Sequence, residues 1–304
     1  MYGDAGAATF CRSILKPFQA LPLVEDGAAA AYGFGSEQLA LACASHGGRP
    51  EHVTGVAAIL RGIGLDENAL HCGPQTPYDD EAARAIECSG DAPGRLHNNC
   101  SGKHAALLAL AAHHGWEADG YWRYDHPVQR RLREHLASWI GPSPETLLWE
   151  TDGCGLPTPY LALDEMARAY ARLGAKAAAG DPGPAAVVAA MTEHPELTSS
   201  PGREPLVIMR ATRGRLLAKE GAEGVLCVAA PPEGWGLALK IEDGARRGVG
   251  PAAAAVLDTL GLLANGEAEA LESLARPPIL STTGEPVGLI RAVAAVPGSA
   301  PGRA

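Results

Sequence analysis

The sequence predicts an α/β fold of the α+β kind, with an antiparallel sheet flanked by helices and a further helical region. Three observations carry this expectation. The first two thirds of the chain show apolar residues near a 3.6-residue period, punctuated by Gly and Pro. The last third changes to short apolar runs, LVIM, GRLLAKEG, GVLCVAA and WGLALKI, which read as strands. The stretch VLCVAAPPEGWGLALKI reads as a hairpin closed by a Pro/Gly turn.

Element by element, helices are expected over 36–45, 51–65, 79–88, 101–115, 127–139, 161–173 and 184–193. Each has an apolar face or a start signal such as Pro in the first turn. Ser101 can cap the helix that follows it. The Gly- and Pro-rich tracts 150–163 and 174–184 read as loops. After the hairpin come helices over 251–263 and near 268–274, and PVGLIRAV reads as a final edge strand. With 304 residues, no internal repeat and no linker-like tract, the chain is read as one domain spanning 1–304.

Composition narrows the function classes. Hydrophobic residues make up 46% and charged residues 20%, and no run approaches the roughly 18 apolar residues of a membrane span. MYGDAGAATF has neither a basic nor an apolar leader region, so a cytoplasmic protein without a membrane partner is expected. A net charge of -10 argues against nucleic acid, whose phosphates need clustered basic residues. Seven scattered cysteines are not a disulfide framework and suit a reducing compartment.

Lysine is scarce: of 25 basic residues only those at 16, 103, 176, 219 and 240 are Lys. Arginine keeps its proton in proteins, whereas a buried lysine can lose it. Lysine in such a chain can therefore mark a position where arginine would fail. Lys176, in LGAKAAAGDPG, reads as the exposed end of a helix and nothing more.

In CRSILKPFQALPL, Ser13 stands one helical turn before Lys16. A neutral amine there can take the hydroxyl proton, giving a nucleophile and its base. An ordinary helix start is the plain alternative. In ACASHGG, Ser45 and His46 precede a Gly pair that lets a ligand approach the backbone. His46 could serve a site or simply complement a helix C-terminus. HNNCSGKHAALL puts Cys100 and Lys103 one turn apart at a helix start, where both could ligate a metal once deprotonated, or where the Cys is merely buried. In ETDGCGLPTPYLAL, Asp152 suits an ammonium group and lies two residues before Cys154. LLAKEGAEGVLCV sets Lys219 and Glu223 among glycines between two strands.

Taken together, RSILKPFQALPL, LALACASHGG, HNNCSGKHAALL, TDGCGLPT, AKEGAEGV and KIEDGARR are similar to motifs of the L-asparaginase II family, in the family's order. The resemblance implies a fold like serine β-lactamases and glutaminases, and hydrolysis of L-asparagine to L-aspartate and ammonia. It implies a Ser13/Lys16 nucleophile pair, a second pair Ser45/Lys219, and substrate contacts at Asp152 and His46. It also implies a zinc site at Cys100, Lys103 and Cys154, and a homodimer. Two departures stand out. The family's N-terminal strand pair is absent ahead of the Ser-x-x-Lys turn, with Met1 falling in the linking loop, so an unpaired sheet edge is expected. Pro205 and Leu206 occupy positions where the family tends to carry a small polar pair. The rival functions are a penicillin-recognising or other serine acyl transferase or glutaminase, or an inactive, truncated metal-binding homologue. Lys-Glu-Gly in place of that transferase class's Lys-Thr-Gly counts against the first.

Overall fold

The structure is a computed structural model and describes residues 3–293. It is an α+β fold, helix-rich with small antiparallel sheets. Its centre is the helix Ser101–His113, buried on every face from Ser101 to Ala111. A helix that is apolar all round belongs inside a core, and LLALAA makes it so. Around it lie the helices Lys16–Glu25, Ser36–Ala42, Pro50–Gly62 and Pro127–Ile140.

Two three-stranded sheets position the site. In the smaller, β1 (Ala8–Phe10) and β2 (Trp149–Thr151) flank β3 (Pro157–Ala162). The register pairs Phe10 with Tyr160 and Thr151 with Pro157. The β2–β3 turn, carrying Asp152 and Cys154, is thereby set beside the residues that follow β1. The larger sheet has the order β4 (Leu217–Gly221), β5 (Val225–Ala230), β6 (Trp235–Lys240). β5 is buried throughout, which its unbroken apolar run requires. The helix Leu163–Ala178 packs against β5 and β6. β4 packs against the turn Arg12–Leu15, and Gly221 makes this possible. A Cβ there would lie 3.0 Å from the Cys11 carbonyl oxygen and 3.3 Å from Ile14 Cγ2.

The helices expected over 36–45, 51–65, 79–88, 101–115, 127–139 and 184–193 are present within a few residues of those bounds. Others are corrected. LVIM is not a strand but part of the helix Glu204–Ala211, begun by Pro205 and burying Leu206, Ile208 and Met209. A short buried apolar run does not reveal its own period. The expected loop 150–163 is a strand pair. The expected loop 174–184 is mostly helix, because Gly174 serves packing rather than a turn: its Cβ would lie 3.3 Å from Pro231 Cα and 3.4 Å from Ala229 Cβ. The helix expected near 268–274 is two four-residue turns, Glu267–Ala270 and Glu272–Ala275. PVGLIRAV does not extend the large sheet. Its Pro286–Leu289 (β8) pairs with Pro278–Leu280 (β7) in a separate, exposed hairpin. The single-domain reading over 1–304 extends beyond the described residues.

Candidate active site

The site begins at the turn after β1. Cys11 N–H donates to the Pro159 carbonyl at 3.0 Å and Arg12 N–H to Thr158 Oγ1 at 3.1 Å, so β3 holds the turn. Arg12 adopts φ 53°, a left-handed conformation that costs a non-glycine residue on the order of 1–3 kcal/mol. A 3₁₀ turn over Arg12–Leu15 then feeds the helix Lys16–Glu25, with Pro17 in its first turn. Residues three apart nearly eclipse in such a turn, which sets Ser13 above Lys16.

Lys16 is fully buried. Its amine donates to Ser45 Oγ at 3.0 Å, to the Asn99 carbonyl at 3.4 Å and to the Ala44 carbonyl. Lys219, central in β4, donates to the same Ser45 Oγ at 2.8 Å. Ser45 is itself fixed after the helix Ser36–Ala42 by its N–H, 2.9 Å from the Thr198 carbonyl. Two amines thus share one buried hydroxyl. Burial lowers the pKa of Lys16. It lowers Lys219 to about 7, opposed by Glu220 and assisted by Lys16. Removing charge from water and crowding like charges both favour the neutral amine, which is the form that can accept a proton. Ser13 is half-buried, and its hydroxyl makes no hydrogen bond among the described residues. The direct Ser13–Lys16 bond suggested by their spacing is therefore not formed here.

His46, expected as a substrate contact, is engaged within the protein. Its Nδ1 accepts from Gly48 N–H at 3.1 Å, and its Nε2–H donates to Ser101 Oγ at 2.9 Å, which in turn donates to the Leu96 carbonyl. Burial pushes its pKa well below the usual value. A neutral ring with both nitrogens engaged braces the Ser45 loop.

Cys100, Lys103 and Cys154 do converge. The Lys103 amine donates to Cys154 Sγ at 3.0 Å, and the Cys100 thiol lies against the same sulfur. Cys100's hydrogen bond and then Lys103 hold Cys154 well below the ordinary thiol pKa, against the effect of burial. Donating that bond, together with burial, pushes Cys100 up to about 12. Lys103 is raised: burial opposes the charge, but Cys154, Cys100 and Asp152 outweigh it. The two directions together favour charge on both Lys103 and Cys154. Among the described residues no three of His, Cys, Asp and Glu are arranged to hold a metal. A metal here would need Lys103 as its third donor, and the contact of two sulfurs and one amine fits that demand.

Asp152 Oδ1 accepts from Arg12 Nε at 2.5 Å and from Gly153 N–H at 2.8 Å. Burial would raise its pKa, but Lys103 and Arg12 hold it down. Glu220, next to Lys219, is gripped through both oxygens by Arg203 Nε at 2.9 and 3.0 Å. Pro205 and Leu206 are buried in their helix.

A family model described as L-asparaginase II matches residues 1–292. The chain belongs to the L-asparaginase II family. No curated protein matches it. In this asparaginase II chain, motifs far apart in sequence meet around Ser45 and Cys154. Family membership makes it an asparaginase-type hydrolase whose substrate is a small-molecule amide. No helix among the described residues is long and apolar enough to cross a membrane.

Sequence reasoning missed several polar groups of the site. Arg12 stands directly before Ser13 in CRSILKPFQALPL, and it binds Asp152 and Glu223. Ser200 Oγ is buried with no partner among the described residues, against Gly47, where a Cβ would come within 2.4 Å of it. Tyr121 Oη accepts from His71 N–H at 2.8 Å and shares a hydrogen bond with His104 Nδ1 at 2.6 Å, while His104 Nε2 is buried with no partner among the described residues. Arg12's neighbourhood to the motif was the one legible signal. The others are isolated polar residues with no local pattern.

Proposed function

We propose that the protein hydrolyses L-asparagine to L-aspartate and ammonia through a Ser13 acyl-enzyme. The observation that carries this reading is Ser45 Oγ held between the amines of Lys16 and Lys219, with Lys16 three residues after the half-buried Ser13. Ser45 is 3% exposed, too enclosed to meet a substrate first, whereas Ser13 is half-buried. Ser13 Oγ attacks the side-chain amide carbon, and its proton passes to the neutral Lys16 amine one turn away as that amine turns from its resting partners Ser45, Ala44 and Asn99. The Lys16–Ser45–Lys219 chain returns a proton to the departing nitrogen as the C–N bond breaks and ammonia leaves. Water then adds to the ester, giving up its proton to the same chain, and releases aspartate with Ser13 restored. Ammonia release from L-asparagine by the purified protein tests the reading, and no release would reject it. Turnover of nitrocefin instead would favour a penicillin-recognising enzyme. Against that, Glu220 fills the place of that class's threonine and is committed to Arg203.

Because the base must be uncharged, activity should rise with pH. Burial lowers Lys219, the far end of the proton chain, to about 7, so kcat/KM for asparagine is expected to fall as pH drops through that value and to level off above it. A Lys219→Arg variant keeps the charge and cannot take a proton from the Lys16–Ser45 chain, and should be inactive across the range. A profile flat from pH 5.5 to 9 would show that no lysine proton is at stake.

Cys100, Lys103 and Cys154 would hold zinc, leaving a fourth position open. Bound there, zinc would supply positive charge that polarises a ligand oxygen. Binding requires Lys103 to give up its proton, so occupancy should increase with pH. Elemental analysis of zinc-supplied protein is expected to find about one zinc per chain, lost in Cys154→Ser. Metal-free wild type under those conditions would leave the three residues as an internal ion pair.

A further inference from the structure

We infer that Arg12 is the specificity residue that reads the substrate's α-carboxylate, and that Glu223 occupies this carboxylate position when no substrate is bound. The inference rests on the asparaginase reading above.

Arg12 directly precedes the candidate nucleophile. Its guanidinium is divided between two carboxylates of different character. Nε donates to Asp152 Oδ1, whose side chain is 10% exposed. Nη1 donates to Glu223 Oε1 at 3.0 Å, and Glu223's side chain is 62% exposed. Nη2 has no hydrogen-bond partner among the described residues, and lies 3.8 Å from where a Cβ on Gly153 would stand. One edge of the fork is therefore built in, and the other is closed by a residue that can swing into solvent.

Backbone geometry strengthens the distinction. Arg12 and Glu223 are two of the three non-glycine residues with positive φ among the described residues, at 53° and 63°. Each conformation is unfavourable for a side-chain-bearing residue. At Arg12 it is fixed by Thr158 and β3. Glu223 sits in the β4–β5 turn beside Gly224, itself at φ 73°, with its carboxylate bonded to Arg12 alone among the described residues.

An α-amino acid presents an ammonium and a carboxylate on one carbon. A neighbouring carboxylate and guanidinium match both charges at once, and an arginine fork suits a carboxylate through two parallel N–H donors. Asp152 and Arg12 form such a pair next to Ser13. A substrate carboxylate would take Nη1 and Nη2 and displace Glu223.

The test compares L-asparagine with L-asparaginamide, in which the α-carboxylate is replaced by a neutral group of the same shape. Wild type should prefer asparagine. A charge-assisted hydrogen bond is worth a factor of roughly 10–150, so in Arg12→Gln the kcat/KM ratio of asparagine over asparaginamide should fall by about that factor, with Arg12→Lys recovering part of it. Glu223→Asn tolerates the positive φ and removes the competitor. It should lower KM for asparagine by up to about fivefold, the range of an exposed ion pair. If Arg12 only braced the loop, Arg12→Gln would depress both substrates and leave the ratio unchanged, which overturns the inference. A wild type indifferent to the α-carboxylate, or a Glu223→Asn whose KM rises, overturns it too. Wild type that releases no ammonia from asparagine would instead defeat the proposed function.

Discussion

Ser13→Ala and Lys16→Ala are each expected to abolish asparagine hydrolysis, with the double variant little worse than either single one. Nucleophile and base act as one unit, and in serine hydrolases the loss of either removes on the order of 10⁶-fold in kcat without additivity. Ser13 supplies the reachable hydroxyl, and Lys16 supplies a buried amine whose pKa is lowered by desolvation. Lys16→Arg should fail as well, because a guanidinium keeps its proton. Ser45→Ala should also be severely impaired, since the proton path to Lys219 runs through its hydroxyl. The decisive comparison is kcat for folded Ser13→Ala against folded Ser45→Ala, with thermal melts verifying both folds. Substantial turnover in Ser13→Ala, coupled with none in Ser45→Ala, would move the nucleophile to Ser45 and refute the assignment.

Gly236→Val is expected to produce the largest loss of stability among single substitutions outside the site. A Cβ at Gly236 would stand 2.0 Å from the Ala167 carbonyl oxygen and 2.4 Å from Ala171 N. Both are backbone atoms of the helix Leu163–Ala178, so no side chain can rotate away, and helix and sheet must separate. Overpacking of this kind costs about 3 kcal/mol or more, a fall in Tm of about 6 °C at the small per-kcal shift of larger chains. Gly62→Ala is the control. Nothing lies within 4 Å of a Cβ there, and alanine is the better helix former by up to about 1 kcal/mol, so its Tm should hold or rise. Equal melting of Gly236→Val and wild type would show that the helix does not touch β6 as described.

The same helix shows where sequence reading stops. Ala167, Ala171 and Gly174 lie four and three residues apart, a helical stripe of small residues. Gly174 taken alone read as the start of a loop. What makes it helical is the strand packed against it, 55 residues further on at Ala229. LVIM was misread for a related reason: four apolar residues satisfy a strand and a buried helix equally, and Pro205 with Glu204 at the start was the only cue that separates them.

Some of the chemistry was written in the sequence itself. Lysine scarcity among abundant arginines marked Lys16, Lys103 and Lys219, and all three are buried, at 0%, 4% and 1% exposure. The one-turn Ser13/Lys16 spacing, the polar start of the helix Ser101–His113 and the hairpin VLCVAAPPEGWGLALKI are local patterns, fixed by periodicity and turn chemistry within a few residues. Tertiary structure alone decided the partners. Lys16 meets Ser45 across 29 residues, Lys219 meets it across 174, and Arg12 meets Asp152 across 140. These contacts follow from the β1–β3 register and from β4 packing against the Arg12–Leu15 turn, and no local pattern encodes either. The lysines' lowered pKa values follow from burial, which exists only once the chain has closed around them.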